Sequence, residues 1–178
     1  MNILENYYKK VIQYDLINKF AYTHLGEIPQ LKKIVLNFGC KSFELKNIAS
    51  ALLSLELITS KRGSLTKAKR ANILLKVRKG YPVGCIVILQ KEKMYDFLLK
   101  LLTEVFPNLK EFKTLTISKK LEPTSFSFTL VDLISFKELE KQFYLFTSLP
   151  PLNITLTANS KTTQELLYLL KSFKLPII

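Results

Sequence analysis

The chain has 178 residues, 48% of them hydrophobic and 23% charged, with a net charge of +13. That length supports a sizeable core, and the composition excludes a disordered segment or a disulfide-stapled miniprotein. The charge is uneven, +11 over residues 1–91 and only +2 over residues 92–178, and such an excess points to nucleic acid ahead of an anionic membrane surface.

Leu4, Tyr8, Val11 and Leu16 fall near one helical face, with Tyr7 and Ile12 alongside, so residues 3–19 read as a helix. Pro29 closes the loop that follows. Over residues 31–40, Ile34, Leu36, Phe38 and Cys40 alternate with Lys33, Val35, Asn37 and Gly39. This predicts a half-buried strand with a polar, small-residue outer face. Leu45, Ile48, Leu52, Leu55 and Ile58 return at helical spacing and predict a second helix over about 46–59.

Gly63 and Ser64 turn the chain into a basic ribbon, residues 61–84. Eight of its residues are cationic: Lys61, Arg62, Lys67, Lys69, Arg70, Lys76, Arg78 and Lys79. No acid occurs between Glu56 and Glu92. Burying that much unpaired charge is prohibitively costly, so it faces water or a polyanion. The segment ends in Gly80-Tyr-Pro-Val-Gly84, a turn or loop in which the glycines permit close backbone approach and Pro82 stiffens the chain.

Residues 85–90 alternate again, Cys85, Val87 and Leu89 on one side and Ile86, Ile88 and Gln90 on the other. Met94, Leu98, Leu101, Leu102 and Val105 form an apolar helical stripe ended by Pro107. Residues 112–130 read as two short strands joined by a loop near 119–123, and residues 136–146 as a weak helix. Leu152, Ile154, Leu156 and Ala158 alternate with Asn153, Thr155 and Thr157 as a strand. Thr162-x-x-Glu165 forms a capping box before a last helix carrying Leu166, Leu170 and Phe173. The order of elements is too irregular for a doubly wound fold. It predicts an α+β domain spanning residues 1–178: an antiparallel sheet with helices on one face and the other face open, and a long basic loop at about 71–84.

Catalytic chemistry is absent from the pattern. His24 is the one histidine, and Cys40 and Cys85 belong to no Cys/His cluster, so no metal or cofactor set assembles. Phosphate-cradling Gly-rich motifs and a serine elbow are missing, and the acids are scattered singly except Glu138 and Glu140. The chain reads as no enzyme. The longest uncharged run, residues 142–160, contains Pro150 and Pro151 and is no membrane span. Asn37 has two readings, satisfying a neighbouring backbone group or reading a base edge or ribose from the open face. Tyr81 likewise is either a buried loop anchor or a platform on which a nucleotide stacks. Lysine outnumbers arginine 24 to 3, a skew that suggests an AT-rich coding genome rather than a functional choice.

The string Leu65-Thr-Lys-Ala-Lys-Arg-Ala-Asn-Ile-Leu-Leu-Lys-Val-Arg-Lys-Gly-Tyr-Pro-Val-Gly-Cys85 closely resembles the signature of protein five of the large ribosomal subunit, the universal family that binds 5S rRNA. The resemblance extends to Lys19-Phe20-x-Tyr22, Pro29-x-Leu31-x-Lys33-Ile-Val-Leu-Asn37-x-Gly39, Met94-Tyr-Asp-Phe-Leu98, Asn153-Ile-Thr-Leu-Thr-Ala158 and Leu175-Pro176. It implies a non-catalytic protein of the central protuberance whose open sheet face and nearby loops grip 5S rRNA or its organellar replacement. Large-subunit rRNA, P-site tRNA and small-subunit protein thirteen are the other implied partners, with no membrane. Carried over by position, Asn37, Thr66, Lys67, Thr155 and Thr157 meet rRNA. Lys61, Arg62, Lys69 and Arg70 of the ribbon and the outward Gln90 complete the expected rRNA-binding set. Lys76, Arg78, Lys79, Gly80, Tyr81 and Pro82 serve the tRNA loop. A free RNA-binding module, such as a ribosome assembly factor, is the alternative.

The chain also departs from that family's pattern. Ser60-Lys61-Arg62-Gly63 stands where the family has Gly-Gln-Lys-Pro. Leu121-Glu-Pro-Thr-Ser-Phe126 replaces a Gly-rich, Asn-Tyr-Ser segment. Ile86, Ile88 and Gln90 replace alternating Lys, Thr and Arg, which suggests a partly rebuilt grip against a protein neighbour. With the lysine skew, these departures point to a mitochondrial ribosome in the matrix ahead of a plastid or bacterial one.

Overall fold

The computed structural model describes residues 2–40, 45–74, 77–109, 122–146 and 148–177. Five strands, β1 (Leu31–Gly39), β2 (Ser64–Lys67), β3 (Pro82–Leu89), β4 (Ser125–Leu130) and β5 (Leu152–Ala158), form an antiparallel sheet in the order β2-β3-β1-β5-β4. The helices are α1 (Ile3–Tyr7), α2 (Gln13–Lys19), α3 (Leu45–Thr59), α4 (Glu92–Lys100), α5 (Phe106–Asn108), α6 (Lys137–Glu140) and α7 (Thr163–Ser172). The architecture is α+β, as the element order predicted.

The strands form where side chains alternate between core and surface. Ile34, Leu36 and Phe38 of β1 are buried while Val35 and Asn37 are only half-buried. The same period buries Cys85, Val87 and Leu89 of β3 and every second residue of β5 from Leu152 to Ala158. Removing these aliphatic side chains from water is the main stabilising contribution, of roughly 1.5–3 kcal/mol for each fully buried one. The chain divides into two compact units, one of Met1–Ile34, Leu89–Phe128 and Thr155–Ile178, the other of Val35–Ile88 and Thr129–Ile154.

In the first unit, a π-helical turn at Tyr8–Ile12 joins α1 to α2. The turn changes which residues face inward. Tyr8, Ile12 and Leu16 are buried, whereas Val11, expected on the apolar face, is 39% exposed. Tyr8 donates its hydroxyl to the Pro29 carbonyl at 2.9 Å and stacks on Phe173, with ring centroids 6.2 Å apart. Burial first, then Tyr95 and Tyr22, push the Tyr8 phenol up to about 12. A second π-helical turn, Leu101–Val105, links α4 to α5, and Pro107 lies inside the final turn, which ends at Asn108. On β4 and β5, the Ser127 and Thr155 hydroxyls share a hydrogen bond of 2.9 Å.

In the second unit, α3 covers the buried side of β3, where the Cys85 thiol lies 3.6 Å from the Ile48 carbonyl. The Thr129 hydroxyl donates to Asn153 Oδ1 at 2.8 Å on the opposite side of β4 and β5. The helix expected over 136–146 is broken into α6 and a 3-10 turn, Phe143–Leu145. The first of the two strands expected in 112–130, and most of the loop near 119–123, lie outside the described residues; the second strand is β4.

The capping box stands as read. The Thr162 hydroxyl accepts from Glu165 N–H at 3.3 Å, and the Glu165 carboxylate accepts from Thr162 N–H at 3.4 Å. Thr162→Ala removes one half of it and is expected to cost about 1 kcal/mol in urea unfolding; an unchanged midpoint would assign the cap to Glu165 alone. Nearby, the Lys161 ammonium donates to Glu27 at 2.6 Å, and with the Thr23 hydrogen bonds it lowers the Glu27 carboxyl from 4.5 to about 2. A lowered folded-state pKa means stability present above about 4.5 and lost as the pH falls towards 2. In an NMR titration, Lys161→Ala is expected to move the Glu27 midpoint back upward.

Candidate nucleic-acid interface

The basic ribbon is a β-hairpin. Ser64 lies opposite Ile86, Leu65 opposite Cys85, Thr66 opposite Gly84 and Lys67 opposite Pro82, with an irregularity between Thr66 and Lys67. Sequence reading missed β2 and extended the loop to Gly84, whereas β3 begins at Pro82. Proline is tolerated there because the first residue of a strand can do without a ladder N–H. Pairing continues past the irregularity. Ala68 N–H donates to Tyr81 O at 2.8 Å, and Gly80 N–H to Ala68 O at 2.9 Å. Asn72 and Val77 exchange two hydrogen bonds of 2.9 and 3.0 Å. A tight turn over 78–81 closes with Tyr81 N–H to Arg78 O at 3.2 Å and places Gly80 at φ +90°, a conformation that glycine adopts without a Cβ clash.

Gly84 sets the close approach of the hairpin to β1. A Cβ there would stand 2.3 Å from the Phe38 carbonyl oxygen and 2.9 Å from Thr66 Oγ1. Cys40 N–H donates to Val83 O at 2.9 Å beside it. The ribbon is therefore braced against a neighbouring strand by its own backbone.

Seven cations stand exposed on and beside this hairpin: Lys61, Arg62, Lys67, Lys69, Arg70, Arg78 and Lys79. Among the described residues none of them pairs with a carboxylate. Glu56, the preceding acid, accepts instead from Gly63 N–H at 3.2 Å. Lys61 reaches across to donate to Ile88 O at 2.6 Å. Lys76 lies outside the described residues. Thr66, Tyr81 and Pro82 are half-buried and Gly80 is exposed. The half-buried Asn37 has no hydrogen-bond partner for its amide among the described residues, so its side chain is not occupied by a neighbouring backbone group.

All of those residues belong to one unit. Gln90, Thr155 and Thr157 belong to the other. There Gln90 lines an open cleft of about 840 Å³ with Gln30, Lys32, Lys91 and Lys93, and Thr155 is paired with Ser127. Two features escaped the sequence reading. Ser64, taken for a turn residue, is on the strand with its hydroxyl donating to Ile86 O at 3.3 Å. Ile73 and Leu74, 93% and 94% exposed, project between Arg70 and Arg78 with no apolar cover.

Among the described residues no group of His, Cys, Asp or Glu side chains is arranged to hold a metal ion, and no helix is long and apolar enough to cross a membrane. Burial, then Cys40, pushes the Cys85 thiol up to about 11, and burial raises Cys40 as well. Both remain neutral thiols near pH 7, which is poor chemistry for a nucleophile. What the arrangement offers is a braced, unneutralised cationic ribbon, suited to phosphate oxygens.

Residues 82–177 match the C-terminal region of the ribosomal uL5 family. The chain is 35% identical over 179 residues to "Large ribosomal subunit protein uL5m" of Reclinomonas americana, covering 99% of this chain and 98% of that protein. It is 36% identical over 178 residues to "Large ribosomal subunit protein uL5" of Desulforapulum autotrophicum, covering 99% and 98%. To the protein of that name from Nitrosomonas europaea it is 35% identical over 175 residues, 97% of each chain.

Gly84→Ala forces a methyl group against the Phe38 backbone, and overpacking of that kind costs about 1–3 kcal/mol. Lower thermal stability together with weaker nucleic-acid binding is the expected result. Gly63→Ala is the control, since its Cβ meets only the movable end of Leu52. If Gly84→Ala were as stable as Gly63→Ala, the bracing of the hairpin would be disproved.

Proposed function

The chain belongs to the ribosomal uL5 family of large-subunit proteins, and from that premise we propose that it binds 5S rRNA, or its organellar replacement, in the central protuberance. Proteins of this family are structural constituents of the ribosome and not enzymes. The hairpin cations Lys61, Arg62, Lys67, Lys69 and Arg70 and the amide of Asn37 hold the rRNA. Arg78, Lys79, Gly80, Tyr81 and Pro82, with Lys76, contact P-site tRNA at the elbow. Gln90, Thr155 and Thr157 add rRNA contacts from the other unit, and the whole chain works as one ribosomal-protein domain. Large-subunit rRNA and, across the subunit bridge, small-subunit protein thirteen complete the partners. The site of action is a mitochondrial ribosome, a placement supported by the uL5m relative and by the lysine skew.

One observation supports this reading above the others: seven exposed cations without a carboxylate partner among the described residues. Binding that neutralises about six phosphates weakens with salt at a log–log slope of about −5. Replacing Lys67, Lys69 and Arg70 together with alanine is expected to flatten that slope by about three units in filter-binding or fluorescence titrations against 5S rRNA. An unchanged slope would make them ordinary surface charge.

A further inference from the structure

The sheet surface beside the hairpin carries a second kind of chemistry. On β1 and β3, the side chains that alternate away from the core are Val35, Asn37, Ile86 and Ile88. Ser64 lies opposite Ile86 and Thr66 opposite Gly84, so both hydroxyls share that surface. Thr129 and Asn153 extend it with a hydrogen-bonded polar pair. All of these residues lie in one unit. Among the described residues this surface is made of small polar groups and β-branched aliphatic groups, with no aromatic ring.

That composition discriminates among partners. Splayed single-stranded bases are held by stacking on aromatic rings or guanidinium planes, and the face offers no ring. A protein neighbour would call for a larger apolar centre depleted of charge. Here Val35 and Ile86 are half-buried, Ile88 is 40% exposed, and the Lys61 ammonium sits on the Ile88 carbonyl at the patch edge. Arg62 stands exposed beside it. An apolar patch of a few methyl groups, ringed by hydroxyls, a free amide and cations, matches riboses flanked by phosphates. Paired RNA presents such a surface in its wide, shallow minor groove, where sugars and 2′-hydroxyls are displayed.

We propose that this face receives a double-helical segment of RNA by its minor groove, with Val35, Ile86 and Ile88 against riboses and Asn37, Ser64 and Thr66 bonding 2′-hydroxyls, while the hairpin cations hold the adjoining phosphates. This rests on the reading of the chain as an rRNA-binding protein and specifies what it grips. The face recognises A-form shape and the sugar rather than base sequence. The aliphatic groups that replace donors at Ile86 and Ile88 supply a salt-independent share of the affinity.

The test uses the full-length protein and three probes at one salt concentration: a fully paired RNA stem, a DNA duplex of the same sequence and a single-stranded RNA of equal length. The RNA stem is expected to bind tightest, with the DNA duplex about tenfold weaker or more, as expected if several sugar contacts are lost. Ile86→Ala with Ile88→Ala is expected to weaken stem binding about tenfold without changing the salt slope and to leave DNA binding unchanged. Ile88→Thr, nearly the same shape, separates contact from folding, and melting curves check each variant. Equal affinity for RNA and DNA duplexes, or preference for the single strand, would overturn the minor-groove inference while leaving RNA binding intact. So would a double variant that keeps its stem affinity but loses a protein from purified large subunits. Failure to bind any of the RNAs near physiological salt would instead overturn the rRNA reading itself.

Discussion

Like charges crowded on a narrow ribbon repel one another, and here nothing on the chain relieves that repulsion. From Glu56 to Glu92 the sequence supplies no acid, and Glu56 itself is engaged by the Gly63 backbone. The charged groups face water, where each keeps its hydration and the mutual repulsion is screened. A polyanion that brings phosphates to the ribbon relieves the repulsion and releases its own condensed counterions, so association is favoured without any shape fit. The rest of this unit serves to hold that charge in place.

Holding it falls to the backbone. The ladder from Ser64 to Asn72, the closure at Gly80 and the near-contact of Gly84 with Phe38 set where the cations stand relative to β1. Lys61 adds a tie from the hairpin base to the end of β3. Charge alone attracts any nucleic acid, and phosphate contacts position without specifying. Selectivity must come from groups that charge cannot supply, and the uncharged face formed by β1, β2 and β3 places such groups next to the ribbon. Electrostatic capture and shape recognition thus occupy adjoining surfaces of the same strands.

Much of this was legible in the sequence, for identifiable reasons. The strands at Leu31–Gly39 and Leu152–Ala158 announce themselves because one side is buried and the other is not, and a period of two survives any detail of packing. The capping box at Thr162 and Glu165 is local chemistry and needs no tertiary context. β2 was not legible. Ser-Leu-Thr-Lys has no burial alternation of its own, and it becomes a strand only because β3 lies beside it. The exchange of Val11 for Ile12 in the core follows from a π-helical turn, which a uniform helical period cannot express. The hairpin cations were legible because unneutralised charge is a property of composition. Ser64 was not, because its role depends on register, and neither was the division of Asn37 from Gln90, Thr155 and Thr157 between two units, because it depends on long-range packing.

The most direct measurement is crosslinking of the intact protein within its native particle, followed by sequencing of the attached RNA and mapping of the attached residues. The account predicts that Lys67, Lys69 and Arg70 crosslink to ribosomal RNA, with 5S rRNA or its replacement among the recovered sequences. Crosslinks from those three residues to protein alone, or their absence while other lysines of the chain capture RNA, would contradict it.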